Sequence, residues 1–212
     1  ELEIIQKRDA QKWFRQLIQK NAYIGELFSI NYENAKIQIH DNERQRVGGV
    51  PSLSFLIATR VDPDKEDIDF KEEDASFILL RVMDSAQLPN SLEAERIRVE
   101  TAQRVSGDTE KHWDGEGVMD TKTRVYLGYA GIQCRIIGTF YLEESKREKG
   151  NSLLNLKFGS DLSNFYPNRG LKVYKPYGRA LEMIVNHTEP SNLEEHIENY
   201  GTTEKVKLGF IR

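Results

Sequence analysis

The stretch Thr123 to Glu144, TRVYLGYAGIQCRIIGTFYLEE, constrains the fold more than any other part of the chain. In its second half Ile132, Cys134, Ile136, Phe140 and Leu142 share one parity, and Gln133, Arg135, Thr139 and Tyr141 share the other. That period of two is the pattern of a half-buried strand. The first half, Thr123 onward, reads as a partner strand, with a turn at Tyr129-Ala130-Gly131. Gly138 interrupts the apolar row without a side chain, which in a strand signals a bulge or a bend of the kind that closes a small barrel.

The rest of the chain supplies further strands with helices between them. Asp9 is placed to cap a helix to about Lys20, with Ala10, Trp13, Phe14, Leu17 and Ile18 at steps of three and four. Tyr23–Tyr32 and Ala35–His40 form a hairpin turned at Glu33-Asn34. Asp41–Pro51, charged and then glycine-rich at Gly48-Gly49, reads as a mobile loop. Leu53–Val61 and Ser76–Met83 are strands, and the acidic run Asp62–Asp74 between them is a solvated connection. Asn90 and Glu93 make a capping box for a helix to about Val105 that carries charge all round, and Ser106–Asp120 is a loop. Leu153–Phe158 is another strand, after which the pattern loosens. Pro176 opens a short helix through Val185, Ser191 and Glu194 cap another that Gly201 ends, and Lys205–Arg212 alternates again.

The sum is mainly β with α decorations, a closed or partly open small β-barrel with helical insertions. Its expected divisions are an N-terminal amphipathic helix at 1–21, a barrel core at 22–158 with a helical insertion near 90–106, a partly helical insertion at 159–201 and a final strand at 202–212. A length of 212 residues suits one core plus a satellite. A formal net charge of −4 argues against a surface that grips nucleic acid all over, while leaving room for a local basic patch. The single cysteine, Cys134, excludes an internal disulfide and falls on an apolar strand face. No apolar run is long enough for a bilayer and no secretory leader precedes the first strands, so a cytoplasmic protein without membrane contact is expected.

Catalytic and metal motifs are absent from the sequence. Gly48-Gly49 lacks the lysine and hydroxyl residue of a phosphate-binding loop. One cysteine and four scattered histidines do not make a zinc site. His112, Asp114 and Glu116 have hard-cation ligand chemistry but read as a polar loop, and Asp62, Asp64, Glu66, Asp67 and Asp69 match a nuclease cluster in composition alone. No catalytic, cofactor or metal residue is therefore assigned. Arg44 and Arg46 lie between strands, where small barrels reach nucleic acid, although without interleaved aromatics a solvated loop is the favoured reading. The stripe Trp13, Phe14, Leu17 and Ile18 packs either on the chain's own barrel or on a subunit or partner.

Tyr23–His40, YIGELFSINYENAKIQIH, resembles the opening hairpin of the HAS barrel that begins HerA-type DNA-translocating ATPases. GLKVYKP at Gly170–Pro176 and KVKLGFIR at Lys205–Arg212 are similar to the passage from barrel into ATPase core. The resemblance implies a hexameric ring of the FtsK/HerA group that moves double-stranded DNA and works with a nuclease or sirtuin-like effector in antiphage defence or repair. The barrel would be a non-enzymatic collar for ring assembly and partner docking, with Trp13, Phe14, Leu17 and Ile18 as contacts. ATP and Mg would belong to an ATPase core expected after Arg212. The alternative is a small β-barrel nucleic-acid-binding module using Arg44 and Arg46.

Overall fold

A computed structural model of the chain describes residues 12, 14–64, 76–107, 112, 114–115, 117–146, 152–159, 170–185 and 197–199. Its strands are β1 (Tyr23–Ile30), β2 (Asn34–His40), β3 (Phe55–Thr59), β4 (Phe77–Ala86), β5 (Tyr129–Lys146), β6 (Ser152–Gly159) and β7 (Lys172–Tyr174). They run β2-β1-β7-β3-β4-β5-β6, and β5 also pairs with β2. That second pairing closes six antiparallel strands into a barrel and leaves β6 as an extra strand beside β5. The expected mainly-β barrel with helical decorations is the observed architecture.

Closure depends on how β5 divides its length. Residues Tyr129–Arg135 pair with β2, residues Thr139–Lys146 pair with β6, and β4 lies along the other edge from Gly131 to Phe140. Between the two halves the β4 register slips, because Leu80 faces Ile136 while Leu79 faces Gly138. Ile137 is the extra residue of a bulge, which reverses the side-chain alternation beyond it. Hence Cys134, with Ile132 and Ile136 against it, belongs to the barrel interior. Phe140 and Leu142, of the same parity, join a second cluster on the outer wall. The sequence places all five on one face; the bulge sends them to two.

The interior holds Ile24, Ile37, Leu56, Leu80 and Val173, all essentially inaccessible. The outer cluster is roofed by α1 (helical residues 14–17) and α5 (Arg179–Val185), which bring Phe14, Leu17, Ile18, Ala180 and Ile184 onto Ile57, Phe77, Phe140 and Tyr174. The Phe14 and Phe77 rings stand 4.2 Å apart at 54°, a tilted aromatic pair.

Several local expectations are corrected. Thr123–Leu127 is no strand: Thr121–Leu127 is a helix, α4, and β5 is one 18-residue strand rather than half of a hairpin. Thr123, Tyr126 and Leu127 are its half-buried positions, spaced i, i+3 and i+4, so a helical period underlies the β-branched and aromatic residues. Asp41–Arg46 is a helix, α2, instead of a mobile loop. The Asp41 carboxylate accepts from Arg44 Nε at 2.8 Å and Gln45 Nε2 at 2.5 Å, pairs at i+3 and i+4 that hold one helical turn. The helix Ser91–Val105, α3, forms as expected, but Asn90 makes no side-chain cap; Glu93 instead accepts from the Tyr126 hydroxyl at 3.2 Å. The barrel also extends beyond residue 158, since β7 fills the slot between β1 and β3. The helix expected after Ser191 lies mostly, and the strand at 205–212 wholly, outside the described residues.

A Cβ at Gly138 would stand 2.6 Å from Phe158 Cζ and 3.0 Å from Gly159 O. Gly138→Val is expected to cost about 1–3 kcal/mol through this overpacking and to lower the melting temperature by about 2–4 °C for each of those kcal/mol. Thermal unfolding followed by circular dichroism checks it, and an unchanged melting temperature contradicts the packing described.

Candidate interaction surface

The described residues of the first-helix stripe pack on the chain's own barrel. Phe14, Leu17 and Ile18 are 0%, 1% and 0% exposed and sit in the outer-wall cluster. To meet a partner these three would have to leave that core. Trp13 lies outside the described residues.

Arg44 and Arg46 are brought together on α2, and both are neutralised there. Arg44 pairs with Asp41 at 2.7 Å, which holds the Asp41 carboxyl below its ordinary range through the hydrogen bond between them. Arg46 pairs with Glu43 and donates from Nη2 to Tyr23 O at 2.7 Å. These are structural cations, tying a short helix to itself and to β1. The glycines after α2 take left-handed backbone, φ 71° at Gly48 and 88° at Gly49. Lys175 reaches that turn, donating to Val47 O at 3.0 Å and Gly49 O at 2.7 Å; burial lowers its pKa.

The other candidate chemistry does not assemble. Cys134 is fully inside the barrel, and burial pushes its thiol up to about 12, so it is a packing group and not a nucleophile. Among the described residues no group of three His, Cys, Asp or Glu side chains is placed to hold a metal ion. His112, Asp114, Asp62 and Asp64 are described, whereas Glu116, Glu66, Asp67 and Asp69 lie outside the described residues; Asp64 pairs with Lys20 at 2.8 Å. An open cleft of about 230 Å³ runs between Gln16, Gln19 and Tyr177. It falls below the roughly 300–1,000 Å³ of small-molecule sites, and the Tyr177 hydroxyl is already engaged by Asn21 Nδ2 at 2.6 Å. No helix among the described residues is long and apolar enough to cross a membrane.

What the sequence reading missed lies on the outer wall beside the roofed part. Pairing registers set Phe55 opposite Arg81, Arg81 opposite Arg135, and Arg135 opposite Asn34. Their neighbours Leu56, Leu80, Cys134 and Ala35 are interior, so alternation turns this row outward. Two residues further along the strands come Leu53, Met83, Gln133 and Lys36. Leu53 is 53% exposed and Met83 44% exposed. Both are displayed by backbone irregularities. Leu53 has φ 65° in the Pro51–Ser54 turn, a conformation that glycine or asparagine ordinarily fills, and Met83 is the extra residue where β4 slips between Val82 and Asp84.

Arg81 and Arg135 are like charges directly across a strand pair, an arrangement that is unfavourable unless something neutralises them. Neither they nor Lys36 has a carboxylate in ion-pair range among the described residues, and Arg81 Nε is buried without an acceptor. Arg81 leans over the Phe55 ring, 5.6 Å from its centroid. The signal in the sequence was an arginine at an outward position of each of two strands that only the register shows to be adjacent.

No family model matches the chain, and no curated protein matches it either.

Phe14→Ala is expected to destabilise the isolated chain by about 3–5 kcal/mol, the cost of deleting a buried aromatic. Chemical denaturation measures it. Unchanged stability would mean that the helix does not hold the barrel and is free for a partner.

Proposed function

We propose that the chain is a barrel module that acts through its outer wall, assembling copies and docking an effector as part of a HerA-like DNA-translocating ATPase in defence or repair. One observation carries this reading: among the described residues part of the outer wall is covered by the chain's own helices, while the adjoining part presents Leu53, Met83, Arg81 and Arg135. Arginine and methionine are enriched in interfaces between proteins, and charged residues that remain unpaired on a wall with apolar neighbours favour a partner of opposite charge. The closed barrel supports the collar, and ATP, Mg and double-stranded DNA enter through the resemblance alone.

The test is made on the full-length gene product. It is expected to sediment as a closed ring several times the mass of one chain and to hydrolyse ATP faster when duplex DNA is added. A monomer without DNA-stimulated ATPase activity would contradict the proposal.

A further inference from the structure

We infer that the open wall binds the acidic run Glu66–Asp74 of a second copy of this chain, an inference that rests on the assembly reading above and names its contact. The wall calls for negative charge opposite Arg81, Arg135 and Lys36 and for apolar groups opposite Leu53 and Met83. None of the three cations has a carboxylate in ion-pair range among the described residues. Asp84, opposite Gln133, is the acid in the same rows, and its Oδ1 accepts from the Ser85 N–H at 2.7 Å. Three cations against one acid leave the wall positive.

The run has the required chemistry. Residues 66–74 read EDIDFKEED, six carboxylates and one lysine around Ile68 and Phe70. That net −5 belongs to a chain whose formal charge is −4, so the rest of the chain is slightly basic. The run lies outside the described residues. Helix α3, though exposed along much of its length, does not compete for the wall, because its three glutamates are matched by three arginines. Acid and apolar groups therefore come together in the run as the wall requires.

Covalent geometry makes this a contact between copies. Residues 65–75 leave from Asp64, paired with Lys20 at 2.8 Å, and return to Ser76, whose carbonyl accepts from Thr59 Oγ1 at 2.8 Å. Doubled back at full extension, those 11 residues reach about 20 Å. Along β4, Arg81 and Met83 lie roughly 17 and 23 Å past Ser76. The chain's own run touches the nearer row only at full stretch and cannot lie across both; a second copy's run has no such tether. The contact is heterologous, the run of one copy on the wall of the next, and such contacts build rings when the rotation closes. Two walls face to face would instead oppose arginine with arginine. A nucleic-acid strand satisfies the cations but makes no use of Leu53 and Met83, which the backbone displays in left-handed or bulged positions.

A fluorescein-labelled peptide of residues 65–75 tests the contact directly. Fluorescence anisotropy is expected to show it binding the wild-type chain at low salt and releasing at high salt. Arg135→Glu, at an exposed position, should weaken binding roughly tenfold or more. Ile68→Ser with Phe70→Ser in the peptide should weaken it too, as should Leu53→Gly in the chain, where glycine takes the left-handed backbone without strain. In sedimentation velocity, Arg135→Glu and the double variant Asp67→Lys with Asp69→Lys should each reduce self-association of the chain. An equimolar mixture of the two should recover it, because each supplies the surface the other lacks. A wild-type chain that stays monomeric and leaves the peptide unbound at low salt overturns the inference, as do a mixture no better than its components and a serine-substituted peptide that binds as well as the original. An oligodeoxythymidine bound more tightly than the peptide, and lost in Arg135→Glu, would overturn it in favour of nucleic acid. If the full-length ring forms unchanged with Arg135→Glu, this contact is wrong while the assembly reading stands; if the chains complement but the full-length protein lacks DNA-stimulated ATPase activity, the reverse holds.

Discussion

A single extra residue in β5 governs the architecture. Ile137, bulged beside Gly138, lets one strand finish its pairing with β2 and begin another with β6. Without it the alternation would put Phe140 and Leu142 inside a barrel already filled by Ile37, Leu56, Leu80 and Val173. With it they emerge on the outer wall, where they need a cover. The cover is α1 and α5, and Phe14, Leu17 and Ile18 are apolar because the bulge puts apolar groups beneath them. Closure, the second core and the roof are consequences of one register shift.

The same wall is covered over only part of its area, and the boundary follows the residues. Ile57 and Leu79 lie under the roof, whereas Phe55 and Arg81, two positions along the same strands, mark the start of the open part. The two sets of arginines differ for a local reason. Arg44 and Arg46 have carboxylates three residues earlier on their own helix, so their charge is neutralised by the sequence around them. Arg81 and Arg135 meet only through sheet pairing and find each other instead of an acid. Charge left unneutralised by the fold is available to a partner, which makes the second pair the informative one.

Much of the fold was legible where the period was long enough. The β1–β2 hairpin, the strand character of β3, β4 and β6, and the bend at Gly138 all follow from alternation and from glycine placement. The failures have physical causes. Helix α4 was hidden because Thr123, Val125 and Tyr126 have strand propensity, while its ends are fixed by backbone contacts such as Gly128 N to Arg124 O at 3.1 Å. Strand β7 is three residues, Lys172–Tyr174, too short to show a period, and it is a strand because β1 and β3 leave a slot for it. The first-helix stripe has the same composition whether it meets its own barrel or another protein, so only burial separates the two. The open wall was the least legible part, since Leu53, Arg81 and Arg135 are far apart in the chain and become neighbours through register alone.

The most direct measurement of whether this protein works through its open wall is hydroxyl-radical footprinting of the full-length assembly, read at Met83. Met83 is 44% exposed at the β4 bulge of the single chain, and a methionine open to solvent is expected to oxidise. The account predicts that Met83 is protected in the assembly and regains reactivity when high salt disperses it. Met83 oxidised at the same rate in the assembled and dispersed protein would contradict the account, because the wall would then face solvent in the working form.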